Sequence, residues 1–215
     1  MTISLSDAGK RFNRDWIFRH FNYTFTSGNS YAIVGPNGSG KSTLLQAIGG
    51  AVSLSEGRVT VRREATGVRS ETSDGSTDSN DSLYQYISIA APYLEVIEEM
   101  TATEFLQFHQ TFKSLLPAHT IKEIIAVVGL QNAAGKQIRY FSSGMKQRVK
   151  LAQAIFSDVP VILLDEPCTN LDGTGIALYQ GLIETYCKDR LVIVSSNDEA
   201  EYGFCREKIN LLEFK

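Results

Sequence analysis

The chain has 215 residues, 43% of them hydrophobic, with 21 basic against 24 acidic side chains and a formal net charge of −3. That length suits one domain with a modest insertion, and the acidic balance, pI about 5.7, argues against a protein built to bind nucleic acid. Cys168, Cys187 and Cys205, like His20, His109 and His119, are scattered without metal-ligand spacing, which speaks against a zinc centre and suits a reducing compartment.

No apolar run reaches the ~18 residues that span a bilayer, and Met1–Lys10 lacks the apolar centre of a secretion signal. Attachment to a membrane would then need another chain. Basic residues gather at Arg58, Arg62 and Arg63 and at Lys146, Arg148 and Lys150, spacings that read as solvated faces of a strand and a helix.

In chain order, alternation at Ile3 and Leu5 and at Phe21, Tyr23 and Phe25 predicts short half-buried strands. Ser27-Gly28-Asn29 turns the chain into Ser30–Val34, an apolar strand. A glycine-rich loop follows, then a helix carrying Thr43, Leu44, Leu45, Ala47 and Ile48, closed by Gly49-Gly50. Arg58–Val61 reads as a strand, 66–82 as a polar surface loop, and Tyr84–Ala90 as a strand again.

From Thr101 to Ala134 the apolar spacing is helical, through Phe105, Leu106, Phe108 and Phe112 and then Ile121, Ile124, Ile125 and Val128. Together with a helix over Ser143–Phe156 this predicts a helical subdomain. Val161–Leu164 and Leu191–Val194 are continuous apolar runs, as parallel strands buried on both faces require. The helical pattern Ile176–Tyr186 between them implies a right-handed crossover and an α/β sheet. A last strand is expected near Ile209–Phe214, leaving no room before Lys215 for a regulatory domain.

Gly35-Pro36-Asn37-Gly38-Ser39-Gly40-Lys41-Ser42 fits G-x-x-x-x-G-K-[ST] between a strand and a helix. Glycines let backbone N–H groups turn toward phosphate oxygens, and the helix start adds partial positive charge. Lys41 is expected on the β- and γ-phosphates of ATP, Ser42 on Mg2+, and Thr43 on the α-phosphate. Val161-Ile162-Leu163-Leu164-Asp165-Glu166 ends an apolar strand with two carboxylates. There Asp165 would hold Mg2+ through water, and Glu166 would orient and deprotonate the attacking water.

Phe141-Ser142-Ser143-Gly144-Met145, followed by Lys146-Gln147-Arg148, resembles the LSGGQ signature of ABC (ATP-binding cassette) ATPases. Asp165-Glu166-Pro167-Cys168-Thr169-Asn170-Leu171-Asp172 is similar to that family's Walker B and D-loop run. Phe12 falls where the family keeps an aromatic ring to stack on adenine. The resemblance runs from about Thr2 to Phe214.

It implies a P-loop NTPase core of α/β class, a parallel sheet with flanking helices, plus an antiparallel β subdomain and an inserted helical subdomain. A single domain would then cover 1–215, with 1–90 and 157–215 as nucleotide-binding core and β subdomain, and about 92–156 as the helical part. A head-to-tail dimer is also implied, with itself or with a second ABC ATPase. Each ATP would lie between Lys41 of one subunit and Ser142 and Gly144 of the other, with Asp172 of the D-loop in the same set. Without a partner, Ser142 would simply cap a helix. The resemblance further implies an integral-membrane permease subunit, a cytoplasmic position peripheral to the inner face of the cell membrane, and docking on Pro92–Phe112. Leu94, Val96 and Met100 are the expected exposed apolar contacts.

Two positions depart from the family pattern. Ala91 occupies the place of the Q-loop glutamine, with Tyr93 and Glu95 as polar neighbours, and Asn197 that of the switch histidine. Asparagine can hydrogen-bond the γ-phosphate but does not titrate near neutral pH, so slow or partner-dependent hydrolysis is expected. The variant signature, with Ser143 and Met145, is similar to that of bacterial exporter ATPases, including haem-exporter types. A soluble ABC ATPase of an assembly system and a nucleotide-binding module with little hydrolysis stand as alternatives. Substrate and direction are the business of the membrane partner.

Overall fold

The computed structural model describes residues 1–62 and 80–215. Arg63 and the expected surface loop over 66–82 lie outside these residues, except that Asn80–Ser82 open a short 3-10 helix reaching Gln85. Two sheets carry the fold. β1 (Thr2–Phe12), β2 (Asp15–Thr26) and β4 (Glu56–Arg62) form an antiparallel sheet in the order β2-β1-β4. β3 (Ser30–Val34), β5 (Ile87–Ala90), β6 (Val161–Asp165), β7 (Leu191–Ser195) and β8 (Glu207–Asn210) form a parallel sheet, order β5-β6-β7-β3-β8.

The first two strands are longer than alternation predicts, 11 and 12 residues. Pairing survives register shifts between Leu5 and Ala8, Ala8 and Lys10, and Lys10 and Arg11. Such bulges break the period-two pattern that a sequence reading depends on. Opposite a further shift, between Ser6 and Gly9 in the β1–β4 pairing, Gly57 is obligatory, because its φ is 74° and a Cβ would lie 2.1 Å from the Asp7 carbonyl oxygen.

The central strands are apolar over Tyr31–Val34, Val161–Leu164 and Leu191–Val194 because both faces are covered. Ile33, Leu163 and Ile193 point toward the antiparallel sheet and α1 (Lys41–Ile48), packing with Phe21, Phe25, Leu44 and Ile48. Ala32, Ile162, Leu164, Val192 and Val194 face the other way, into a core shared with α2 (Ala102–Gln110), α3 (Ile121–Val127), α4 (Ser143–Phe156) and α5 (Gly173–Tyr186). A final short helix, α6 (Glu199–Tyr202), follows β7.

α2 and α3 start at complete capping boxes, Thr101 with Glu104 and Thr120 with Glu123. Between them 111–120 is not helical, so Phe112 lies beyond the end of α2. The sequence expectation overran in two further places. Tyr84 and Gln85 belong to the 3-10 turn and β5 begins only at Ile87. The last strand stops at Asn210, whose Oδ1 accepts the Leu212 N–H at 3.2 Å and bends Leu211–Phe214 into a 3-10 turn. That turn brings Phe214 onto Phe21, ring centroids 4.6 Å apart. Among the described residues no helix is long and apolar enough to cross a membrane.

Candidate functional site

The loops after β3, β5, β6 and β7 meet at the carboxyl end of the parallel sheet, where open α/β sheets bind ligands. The first of these, 35–40, is shaped by three left-handed glycines, Gly35, Gly38 and Gly40, with φ of 152°, 75° and 101°. A Cβ on Gly40 would sit 2.2 Å from Ile17 Cγ2, and one on Gly35 would sit 2.9 Å from Ser39 Oγ. The loop therefore closes on itself only because these side chains are absent.

α1 starts at Lys41 behind Gly40, and among the described residues no side chain caps it. Its first N–H groups are left available at the positive end of the helix dipole. Lys41, 5% exposed, donates from Nζ to the carbonyls of Gly35 at 2.8 Å and Pro36 at 3.2 Å. Asn37, Gly38, Gly40, Lys41, Ser42, Thr43, Ile17 and Glu166 line a cavity of about 240 Å3. A larger one, about 730 Å3, opens around Asn29, Glu184, Lys188 and Arg206 and includes none of the motif residues. Volume here does not mark the chemistry.

Asp165 closes β6 only 2% exposed, and its Oδ1 has no hydrogen-bond partner among the described residues. Among the described residues Ser39 and Ser195 also carry buried hydroxyls without partners. Orphaned buried polar groups are costly unless something else satisfies them. An uncapped helix start, an ammonium folded over a glycine loop and a buried carboxylate oxygen without a partner together fit a phosphate chain with its divalent cation. Glu166 follows in a left-handed conformation, φ 42°, its N–H bonded to the Ser195 carbonyl at 2.9 Å.

The structure brings Asn197 to this group, donating from Nδ2 to Asn37 Oδ1 at 3.1 Å. Ala91 is fully buried. Next to it the Tyr93 hydroxyl bonds the Gln46 side chain on α1, and burial, opposed by that bond and aided by the charge of Asp165, raises its proton affinity. Phe12 is 49% exposed with Lys10 Nζ 4.9 Å from its ring centre, and it is not among the residues lining the phosphate-loop cavity.

Ser142 caps α4, its Oγ accepting the Met145 N–H at 3.2 Å. Gly144 packs against the following loop so closely that a Cβ would meet the Asn170 carbonyl at 2.9 Å. Gln147, buried, donates to the Pro167 carbonyl at 2.7 Å. Asp172 caps α5 through the Gly175 N–H at 2.8 Å and the Thr174 hydroxyl at 2.8 Å. Those bonds hold its carboxyl below the usual range. The basic run on α4 is partnered within the fold: Lys146 with Glu98, Arg148 with Asp172, and Lys150 with the carbonyls of Ala91 and Pro92.

Sequence reasoning missed Ile17, Gln46 and Glu201. The first two lie on elements it had identified, but nothing in spacing says which side chain faces the loop. Glu201 sits among other acids, and only folding separates it from them.

A sequence profile of the ABC transporter family matches residues 18–169. The chain belongs to the ABC transporter family. It is an ABC transporter ATP-binding subunit and an ATPase of that family. The cytochrome c biogenesis ATP-binding export protein CcmA of Agrobacterium fabrum is 28% identical over 86% of this chain and 84% of its own. The phosphonates import ATP-binding protein PhnC 2 of Oceanobacillus iheyensis is 30% identical over 79% of this chain and 69% of its own. Exporters and importers therefore both resemble this ABC cassette. A solved dimeric, post-hydrolysis structure of the cassette MJ0796 bound to ADP and Pi shares the fold, with TM-score 0.79 and 23% identity over 97% of this chain and 94% of that one.

Proposed function

We propose that this ABC ATPase is the motor of an exporter, working on a separate integral-membrane permease at the inner face of the cell membrane. The observation that carries the permease partner is a set of exposed apolar side chains on the 92–112 segment. Tyr93, Ile97, Phe108 and Phe112 are exposed, the last 73%, and the two phenylalanine rings touch edge to face at 5.1 Å. Clustered exposed aromatics of this kind mark an interaction surface. Its composition differs from the sequence expectation. Val96 is buried and Met100 packs against the core, because the segment turns these two side chains inward. The variant signature supports export.

In this reading Gly35–Thr43 cradle the phosphates of ATP, with Pro36, Asn37, Gly38, Ser39 and Gly40 contributing backbone. Lys41 holds the β- and γ-phosphates, Ser42 and Asp165 hold Mg2+, and Phe12 lies against adenine. The cation, when bound, offsets phosphate charge. Glu166 takes the proton of the attacking water at its carboxylate, and Asn197 donates to the γ-phosphate. Ser142, Gly144 and Asp172 serve the nucleotide of a second subunit, identical or related; Ser142 Oγ keeps the Met145 N–H of its cap while its own O–H donates to a phosphate oxygen. Residues 1–215 act as one domain, with about 92–156 as its helical part.

The test is affinity purification from gently solubilised native membranes. A multi-span membrane protein at fixed stoichiometry supports the transporter reading. Recovery with soluble partners alone would sink it in favour of an assembly ATPase.

A further inference from the structure

Glu201 is one of three acids in the run Asp198-Glu199-Ala200-Glu201, yet it alone turns inward, 5% exposed. Its Oε1 accepts the Cys168 N–H at 2.7 Å, and the Ser196 hydroxyl donates to the same carboxylate. Ser196 Oγ in turn accepts the Asp198 N–H at 2.9 Å. From the other side the buried Tyr179 hydroxyl donates to the Glu201 carbonyl at 2.8 Å, fixing α6 on α5. One carboxylate thus joins the turn after β6 to the turn after β7.

Those turns carry the reacting groups. The turn after β6 begins at Glu166, which is pinned by its N–H on Ser195 and closes through the Thr169 N–H on the Glu166 carbonyl at 3.1 Å. Cys168 lies inside it, so Glu201 holds the half of the turn that Ser195 does not. The turn after β7 carries Asn197, and Glu166, Cys168, Ser196, Asn197 and Glu201 line one cavity of about 290 Å3. Burying a carboxylate costs several kcal/mol unless it is fully bonded, and here burial and the nearby charges of Asp198 and Glu166 push its proton affinity up. An apolar side chain would fill the space without that cost but could hold neither turn.

We propose that Glu201 is a positioning residue for ATP hydrolysis: its carboxylate clamps the turns bearing Glu166 and Asn197 and so sets the separation of the base from the γ-phosphate. This rests on the assignment of Glu166 as the base. Displacement of a catalytic group by about 1 Å can cost on the order of 100-fold in rate, whereas Lys41 and the phosphate loop, which bind ATP, are untouched.

The experiment compares the purified full chain with Glu201→Gln, Glu201→Ala and Glu166→Gln. It reads equilibrium binding of ATP, single-turnover hydrolysis of Mg-ATP, and thermal melting. Glutamine keeps the volume and the acceptor for Cys168 but loses the second acceptor oxygen. The expected result is ATP affinity within about threefold of wild type, with hydrolysis reduced about tenfold in Glu201→Gln and further in Glu201→Ala. Hydrolysis within about twofold of wild type in a folded Glu201→Gln protein would overturn the proposal. So would a loss fully accounted for by weaker ATP binding. If the alanine variant does not fold, the glutamine variant carries the test alone. Wild-type hydrolysis that survives Glu166→Gln would instead remove the base assignment, and this proposal with it.

Discussion

Asn197 and Asn37, 160 residues apart, meet through a 3.1 Å hydrogen bond between their side-chain amides. The contact places a neutral donor from the end of β7 over the phosphate loop. An amide does not titrate in the physiological range, whereas an imidazole does. Replacing Asn197 by His is expected to introduce a step near pH ~6.5 into the pH–rate profile of ATP hydrolysis. Wild type should lack that step. A variant profile parallel to wild type from pH ~5.5 to ~8.5 would show that this side chain does not reach the reacting phosphate.

Glu166 and Lys41 should fail in different ways. Glu166→Gln is expected to lower turnover at least ~100-fold while nucleotide affinity stays near wild type, since a general base acts only in the chemical step. Lys41→Ala removes a charge from the phosphate loop and should weaken ATP binding itself. Equilibrium binding with a fluorescent ATP analogue separates the two, and equal losses of affinity would contradict the division of labour.

Gly40→Ala tests the cradle. The added methyl meets Ile17 at 2.2 Å in a backbone with φ of 101°, a conformation that costs an alanine roughly 1–2 kcal/mol before any clash. The variant should lose ATP binding and melt lower. Ile17→Ala in the same chain should restore part of both by vacating the contact.

The site's backbone was legible in the sequence because the glycine loop and the β6 carboxylates form contiguous motifs. α4 was legible for a similar reason: its apolar spacing and its Ser142 cap lie within one window, and its bounds match the expectation. Phe214 was read as strand because its apolar character reflects a contact made elsewhere, with Phe21. Glu201 was invisible for the same reason. Its Cys168 partner is 33 residues away, and no local pattern separates a buried acid from two exposed ones beside it.

His109 gives stability a pH dependence. Its Nε2 lies 2.9 Å from Ser157 Oγ, and that hydroxyl donates to the Gln153 carbonyl, so the imidazole supplies the proton to Ser157. Burial, and then the charge of Lys113, lower its pKa from 6.5 to about 4. Below pH 6.5 the unfolded chain takes up a proton that the folded one refuses. The contribution is therefore whole above pH 6.5, declines as pH falls toward about 4, and levels off below. Melting temperatures across that range should show the slope, and His109→Gln should flatten it.

Thr120→Ala dismantles the capping box of α3, which uses the Glu123 N–H at 3.3 Å and the Glu123 carboxylate on the Thr120 N–H at 2.7 Å. A destabilisation of about 1 kcal/mol is expected from denaturant titration, with ATP binding unchanged because α3 lies away from the phosphate loop.

The head of α4 rests on the Asn170 carbonyl with no space for a methyl group, and Gln147 grips the Pro167 carbonyl one turn on. Lys150, a further turn along, holds the carbonyls of Ala91 and Pro92. One helix therefore meets the Pro167–Asn170 turn near its head and the backbone just before the exposed Tyr93 farther along. A push on Tyr93 or Ile97 from outside would find a bonded route along α4 to the Pro167–Asn170 turn, as a crank passes on a stroke.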